Sequence, residues 1–313
     1  MAEALRQPGE ALPFDRVAIV GIGLIGSSIA LAARRFALAR RVVLFDISEE
    51  VRREAASLRL GDEIASSFAE SVRDADAVVI CVPVGACGAV AAEIAPHLRQ
   101  GAIVTDVGSV KSAVIKSVLE HLPAHARFVP AHPVAGTENS GPAAGFPSLF
   151  VNRWCILTPP EGTDDDAVAR IQAFWEGMGS NVEIMSADHH DLVLAVTSHL
   201  PHLIAYNIVG TADDLQSVTQ SEVIKFSAGG FRDFTRIAAS DPTMWRDVFL
   251  HNKDAVLEVL ARFNEDLSAL ARAIRWGEGD KLFDLFSRTR AIRRGIVSQG
   301  QETAEPDFGR RKL

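Results

Sequence analysis

The residues with the most chemistry in them fall into a histidine loop and a glycine turn. His132 stands in Ala131-His-Pro-Val-Ala-Gly-Thr-Glu-Asn-Ser-Gly141, a stretch read as a loop, with a histidine, a glutamate and little that packs into a core. With an unperturbed pKa of about 6.5, a neutral imidazole accepts a proton at neutral pH and needs no metal to do so. Gly21-Ile-Gly23-Leu-Ile-Gly26 follows the β-branched run Arg16-Val-Ala-Ile-Val20 and precedes an alanine-rich helix expected over Ser27 to Leu38. A dinucleotide pyrophosphate requires that order. Gly21 permits a tight turn, Gly23 lets the backbone approach the phosphates, and Gly26 lets the helix pack on the strand. The helix N-terminus adds free N–H groups and a positive dipole end.

Arg41-Val-Val-Leu-Phe-Asp46 reads as the second strand, and Asp46 falls about 20 residues after Gly26, where a ribose-binding acid belongs. Asp46 is otherwise a cap for the helix beginning at Ser48-Glu-Glu; strand, glycines and acid in register favour the cofactor role. An acid there repels a 2′-phosphate, so NAD is expected, with NADP left open by Arg52 and Arg53 close behind.

These groups need a scaffold, and the alternation of the chain supplies one. Ala77 to Val82 is an apolar run suited to a central parallel strand, which Pro83 ends. Ala86 to Leu98 reads as a helix, Ala102 to Asp106 as a strand, Lys111 to Leu122 as a helix, and Arg127 to Pro130 leads into the histidine loop. Such alternation means a parallel doubly wound sheet with ligands at the carboxyl ends of its strands. Asp106, Ser109, Lys111 and His132 stand at or just after such ends. Trp154 to Pro159 and Val182 to Met185 read as further strands, with a helix over Asp165 to Met178 between them.

After Ser186 only helices are expected. One runs from Ala187 to Ala212, capped by Ser186 or Asp188 and kinked at Pro201. A second starts at Asp241-Pro242 and runs to about Ile274, with Leu257, Leu260, Phe263 and Leu267 on one apolar stripe. A third spans Asp280 to Ile296. The fold class is therefore α/β. A Rossmann-like dinucleotide-binding domain over 15–185 is followed by an all-α substrate and dimerisation domain over 186–297, with a loose tail at 1–14 and a polar tail at 298–313.

Composition narrows the function. The 313 residues are 48% hydrophobic, enough for two cores, and the net charge of -8 argues against nucleic acid and against a basic membrane-surface face. No apolar run is seen to approach the roughly 20 residues of a membrane span, and Met1 to Pro13 lacks the pattern of a secretory signal, so a cytoplasmic protein is expected. Cys81, Cys87 and Cys155 are odd in number and without metal-like spacing, as for reduced thiols.

Two further polar groups lie in the helical half. Thr197-Ser-His-Leu-Pro-His202 sets His199 and His202 one turn apart. A metal pair is conceivable, but no third-ligand pattern accompanies it, and no metal is expected. Gly229-Gly-Phe-Arg-Asp-Phe-Thr-Arg236 offers arginines that either clamp a carboxylate or pair with Asp233 or Asp247 to tie helices together.

In this order, GIGLIGSS, DVGSVK, HPVAGTENSG, SHLPH and GGFRDFTRIAASDPTMWRD resemble the prephenate/arogenate dehydrogenase family, from about Arg16 to about Ile296. The resemblance implies NAD(P)-dependent oxidative decarboxylation of prephenate to 4-hydroxyphenylpyruvate, of arogenate to tyrosine, or of both. It makes His132 the catalytic histidine and Ser109 a serine touching histidine, cofactor and substrate hydroxyl. Arg236 becomes the arginine for the substrate carboxylate, and His202 with His199 lines the substrate side chain. Thr137 and Glu138 fall at the pocket mouth, and Gly229 and Asp233 in the motif that positions Arg236. Gly21, Gly23, Leu24, Ile25, Gly26, Asp46, Val82, Pro83 and Ser109 form the cofactor set, and a homodimer through the helical domain is implied. Neither a fused chorismate mutase block nor an ACT domain is expected, so any inhibition by tyrosine would act at the active site. The alternatives are a β-hydroxyacid dehydrogenase, whose lysine-to-asparagine pattern is missing around Lys225, and an NAD-sensing regulator without turnover.

Overall fold

The structure is a computed structural model that describes residues 12–137, 139–215 and 229–298. Six strands form one sheet: β1 (Phe14–Val20), β2 (Ala39–Phe45), β3 (Glu63–Ile64), β4 (Ala77–Ile80), β5 (Ile103–Asp106) and β6 (Arg127–Phe128). Their order is β3-β2-β1-β4-β5-β6, and every neighbouring pair is parallel. Helices α1 (Leu24–Arg35), α2 (Glu49–Ser57), α3 (Phe68–Val72), α4 (Cys87–Ile94) and α5 (Ser112–Leu119) make the crossovers. The order reverses between β1 and β4, so a crevice opens at their carboxyl ends.

The sheet is buried on both faces because its strands are apolar at successive positions. Val17 and Ile19 enter one core cluster with Phe14, Ile29, Phe150 and Trp175. Ala18 and Val20 enter the other with Ile80, Val104, Trp245 and Val248. Phe14 is therefore a core residue of β1 and not part of the tail expected over 1–14.

A second sheet corrects the reading of the histidine stretch as a loop. Residues Ala131–Pro133 form β7, which pairs antiparallel with β8 (Trp154–Leu157), and β8 pairs in parallel with β9 (Asn181–Ile184) across helix α6 (Asp165–Gly177). Register sets His132 opposite Ile156. Three residues are too few to show a strand period, so the pairing was hidden until β8 was in place.

The helical part begins with α7 (Ala187–Leu194), a π-helical turn (Ala195–His199) and α8 (Leu200–Asp214). Pro201 lies in the first turn of α8, just after a widened turn of the kind that accommodates a missing N–H. There follow α9 (Gly229–Thr235), a 3₁₀ turn (Arg236–Ala239), α10 (Pro242–His251), α11 (Lys253–Arg275) and α12 (Gly279–Ser298). The single helix expected from Asp241 to Ile274 is thus two, because the chain leaves helical geometry at Asn252 (φ -108°, ψ 32°). Asp241 does cap α10, accepting from Met244 N at 2.8 Å.

The run Ala187–Asp214 is long and apolar enough, by length and composition, to cross a membrane, with a mean hydropathy of 1.4. That overturns the expectation that no stretch approaches such a length. His190 and Asp191 in its first two turns are nevertheless buried in hydrogen bonds to other parts of the protein. The chain divides into two compact units, one ending at Lys253 and the other beginning at Asp254. In the second unit Leu257, Leu267, Ile274, Phe283 and Phe286 are exposed, while Leu260 and Phe263 of the expected stripe are half-buried.

The glycine turn constrains the first half most tightly. Gly21 has φ +101°, and a Cβ on Gly26 would collide with the Gly21 carbonyl oxygen. Gly26→Ala is expected to destabilise the protein by about 1–3 kcal/mol, the scale of overpacking a filled site. Urea unfolding of the variant against the wild type measures this directly.

Candidate active site

Cofactor geometry comes first in the chain. A Cβ on Gly23 meets no protein atom within 4 Å, unlike one on Gly21 or Gly26. The protein's own packing does not require that glycine, so the bare backbone suits a ligand approaching the N-terminus of α1. Leu24 and Ile25 continue the turn, buried and half-buried in turn. Asp46, just past β2, accepts from Ile22 N and from Ser48 N, both at 2.9 Å. The cap of α2 is Ser48 instead, whose hydroxyl accepts from Val51 N. Arg52 donates to the Asp46 and Ile47 carbonyls at 2.6 and 3.0 Å, and Arg53 pairs with Glu49. Arg52 is thus held by two carbonyls, whereas the Arg53 pair is solvent-exposed and weak. Val82 and Pro83 follow β4, half-buried and exposed, with Val82 against Gly21.

The second constellation is built around a buried cation. Lys111 Nζ, wholly buried, donates to Asp106 Oδ2 at 2.5 Å and to the Ala131 carbonyl at 2.6 Å. Its backbone N–H and that of Ser112 hold the two oxygens of Asp191, at 2.7 and 2.9 Å. Ser109 sits half-buried in the bend between Asp106 and Lys111.

His132 is reached through Asp191. His190 Nδ1 lies 2.8 Å from Asp191 Oδ1, and His190 Nε2 lies 2.8 Å from His132 Nδ1. A carboxylate only accepts, so His190 carries its proton on Nδ1 and accepts at Nε2. His132 must then donate from Nδ1, which leaves its Nε2 as the free base. This directed chain can take a proton from a ligand and spread the resulting charge toward Asp191. Burial first, then His190 and Lys111, hold the His132 pKa well below the usual histidine range. His190 is lowered chiefly by burial as well. Burial raises the Asp191 carboxyl, but the bonds from His190, Lys111 and Ser112 outweigh it and leave the pKa below the ordinary value.

His199 and His202 part company despite their spacing. His199 is fully buried, with Nδ1 3.0 Å from Asn252 Nδ2, and burial pushes its pKa down to about 4. His202 stacks on Trp245 at 3.6 Å and bonds the Ser198 carbonyl through Nδ1. Burial lowers its pKa, and the charge of Arg236 adds to that. Arg236 is exposed and close enough to His202 for its charge to be felt. Of the expected pairs, Arg232 and Asp233 do meet, as exposed neighbours within α9, and Asp247 pairs with Arg246. Gly229 is exposed at the start of α9. Thr137 is half-buried and accepts from Asn139 N. Glu138 and Lys225 lie outside the described residues. His190, Asp191, Asn252 and Trp245 were not singled out from the sequence. The His190-Asp191 pair near a helix start was the one available signal.

The sheet order, the bare glycine turn and the acid beyond β2 define a dinucleotide-binding fold joined to a helical half. Comparisons give the family. The chain matches the model of the prephenate dehydrogenase nucleotide-binding domain over 29–184 and that of the prephenate dehydrogenase dimerization domain over 186–288. It is 46% identical over 280 residues to a cyclohexadienyl dehydrogenase of Zymomonas mobilis, covering 90% of this chain and 95% of that one. It is 36% identical over 297 residues to the prephenate dehydrogenase of Bacillus subtilis, covering 94% and 79%. The crystal structure of Aquifex aeolicus prephenate dehydrogenase with hydroxyphenyl propionate and NAD+ superposes with a TM-score of 0.85 at 34% identity, covering 92% of this chain and 100% of that one. The chain belongs to the prephenate dehydrogenase family, and its class is that of the oxidoreductases.

The four lowered histidines make stability depend on pH. Each binds a proton less readily folded than unfolded, so the unfolded state gains protons first on acidification. Their contribution is fully present above about pH 6.5 and declines as the pH falls toward the folded values, about 4 for His199. Melting temperatures should drop between about pH 7.5 and about pH 5. A flat profile over that interval would contradict the buried neutral state.

Proposed function

We propose that the chain is an NAD-dependent cyclohexadienyl dehydrogenase, oxidatively decarboxylating prephenate to 4-hydroxyphenylpyruvate and arogenate to tyrosine. The observation carrying this reading is the directed Asp191–His190–His132 chain, which presents His132 Nε2 as a proton acceptor at the carboxyl side of a dinucleotide-binding sheet. What NAD supplies, when bound at the glycine turn, is an acceptor for the hydride on C4 of the substrate ring. His132 Nε2 takes the proton of the C4 hydroxyl, which Ser109 orients. The bond from C1 to its carboxylate then breaks, carbon dioxide leaves, the electron pair aromatises the ring onto the C4 oxygen, and that oxygen recovers the proton from His132 Nε2. Gly21, Gly23, Leu24, Ile25, Gly26, Val82 and Pro83 shape the cofactor site, and Asp46 selects NAD over NADP, with Arg52 already bonded to the Asp46 and Ile47 carbonyls.

Arg236 acts on the substrate side chain with His202 and His199, and Thr137 and Gly229 belong to the same pocket. Too firm a grip on the departing carboxylate would oppose its loss, so the role of Arg236 is positioning. The exposed apolar residues of the second unit are covered in a homodimer, consistent with the dimerization model. The reading further places the protein in the cytoplasm, with Ala187–Asp214 a helix of the folded enzyme rather than a membrane span, and with no nucleic-acid partner.

Reduced cofactor should appear with prephenate or arogenate and not with a 3-hydroxy acid, and specificity constants should be higher with NAD than with NADP. Turnover on a 3-hydroxy acid alone would sink the assignment. His132→Asn should lower kcat about 10²–10⁴-fold with little change in substrate affinity. Arg236→Gln should mainly raise KM, by roughly 10–100-fold for a lost charged hydrogen bond. Steady-state kinetics of the two variants separate the roles.

A further inference from the structure

Asn252 is the residue at which α10 ends and α11 is about to begin, and it is buried. Its Nδ2 lies 2.8 Å from the Asp191 carbonyl and 3.0 Å from His199 Nδ1. A carbonyl oxygen can only accept, so the amide nitrogen must be the atom facing Asp191, and its second hydrogen is left for His199. His199 Nδ1 is therefore an acceptor, and the ring carries its proton on Nε2. That Nε2 is buried without a hydrogen bond, while the Ser109 backbone is close enough to favour a proton on the ring. The other charged or titratable groups felt by the ring are Asp191, His190 and His202, and Trp245 stands edge-on at 6.1 Å.

We propose that Asn252 is a positioning residue for the reaction: it fixes His199 in the Nε2–H tautomer, so that a donor faces the Ser109 loop. The inference rests on the reading of Ser109 and His132 as groups of the reacting site. With the tautomer reversed, the buried Nε2 would carry a lone pair that meets no donor, on a ring whose surroundings include the Ser109 backbone that favours a ring proton. The influence of Asn252 on the Ser109 loop therefore runs through the His199 ring rather than through any bond of its own to that loop. Asp191 supplies a backbone carbonyl to Asn252 and a side chain to His190, so the two histidine tautomers are set from one residue.

Asn252→Asp and Asn252→Ala separate tautomer control from simple packing. An aspartate accepts from His199 Nδ1–H, reverses the tautomer and raises the ring's proton affinity. The folded Asn252→Asp enzyme should lose roughly tenfold or more in kcat, the direction of a wrong imidazole tautomer. Its kcat–pH profile should also gain an ionisation absent from the wild type. Asn252→Ala should lose less and gain none. Wild-type kcat and profile in Asn252→Asp, or equal losses in both variants with no new ionisation, would overturn the proposal. Imidazole ¹⁵N shifts, assigned with His199→Gln, report the tautomer without turnover. Nε2–H in the wild type and a mixture in Asn252→Ala support it, and an unchanged tautomer in Asn252→Ala overturns it even if Asn252→Asp fails to fold. Absence of wild-type turnover on prephenate and arogenate would remove the functional reading and leave the ¹⁵N test of the tautomer standing.

Discussion

A buried ammonium must find its compensation within hydrogen-bonding reach, and Lys111 finds it in Asp106 and the Ala131 carbonyl. Removing one partner of such a pair typically costs about 3–5 kcal/mol, because the other charge is left stranded. The same residue's N–H group, with that of Ser112, holds the Asp191 carboxylate. One lysine thus ties the end of β5, the start of β7, the start of α5 and helix α7. Ser109 lies inside the loop closed by the Asp106–Lys111 pair, and His132 follows the clamped Ala131. Both groups proposed for the chemistry inherit their positions from this charge.

Around that cation the imidazoles stay neutral. Burial alone disfavours their charged forms, and the field of Lys111 acts in the same direction on His132 and His190. Neutrality has a structural consequence, since a neutral imidazole has one donor and one acceptor and its orientation becomes directional. Asp191 sets the direction at one end of the cluster, through His190 to His132. Asn252 sets it at the other, through His199. Residues of the helical half are thus what make the proton acceptor on the sheet a defined one.

Legibility followed sequence distance. The first two strands, the glycine turn and the alternating elements from β4 to β6 could be read because each depends on residues a few positions apart. The Pro242 start of α10 was equally plain. Glu63–Ile64 and Ala131–Pro133 could not be read, being two- and three-residue strands that exist only by pairing. His199 and His202 shared a spacing but not a fate: a π turn ends at His199, which is sealed beside Asn252, while His202 stacks on Trp245.

What the chain determined unaided was its local geometry: where φ must be positive, where a helix must start, and which faces are apolar. Those choices are made by backbone sterics and side-chain periodicity, which act over a turn or two. Only the tertiary structure decided that His132 meets His190, 58 residues on. Only it decided that Lys111 is buried, and that the helix from Asp241 breaks at a buried asparagine. Partners at that separation are chosen by how sheets and helices pack, and a buried polar group must bond to whatever that packing brings within reach.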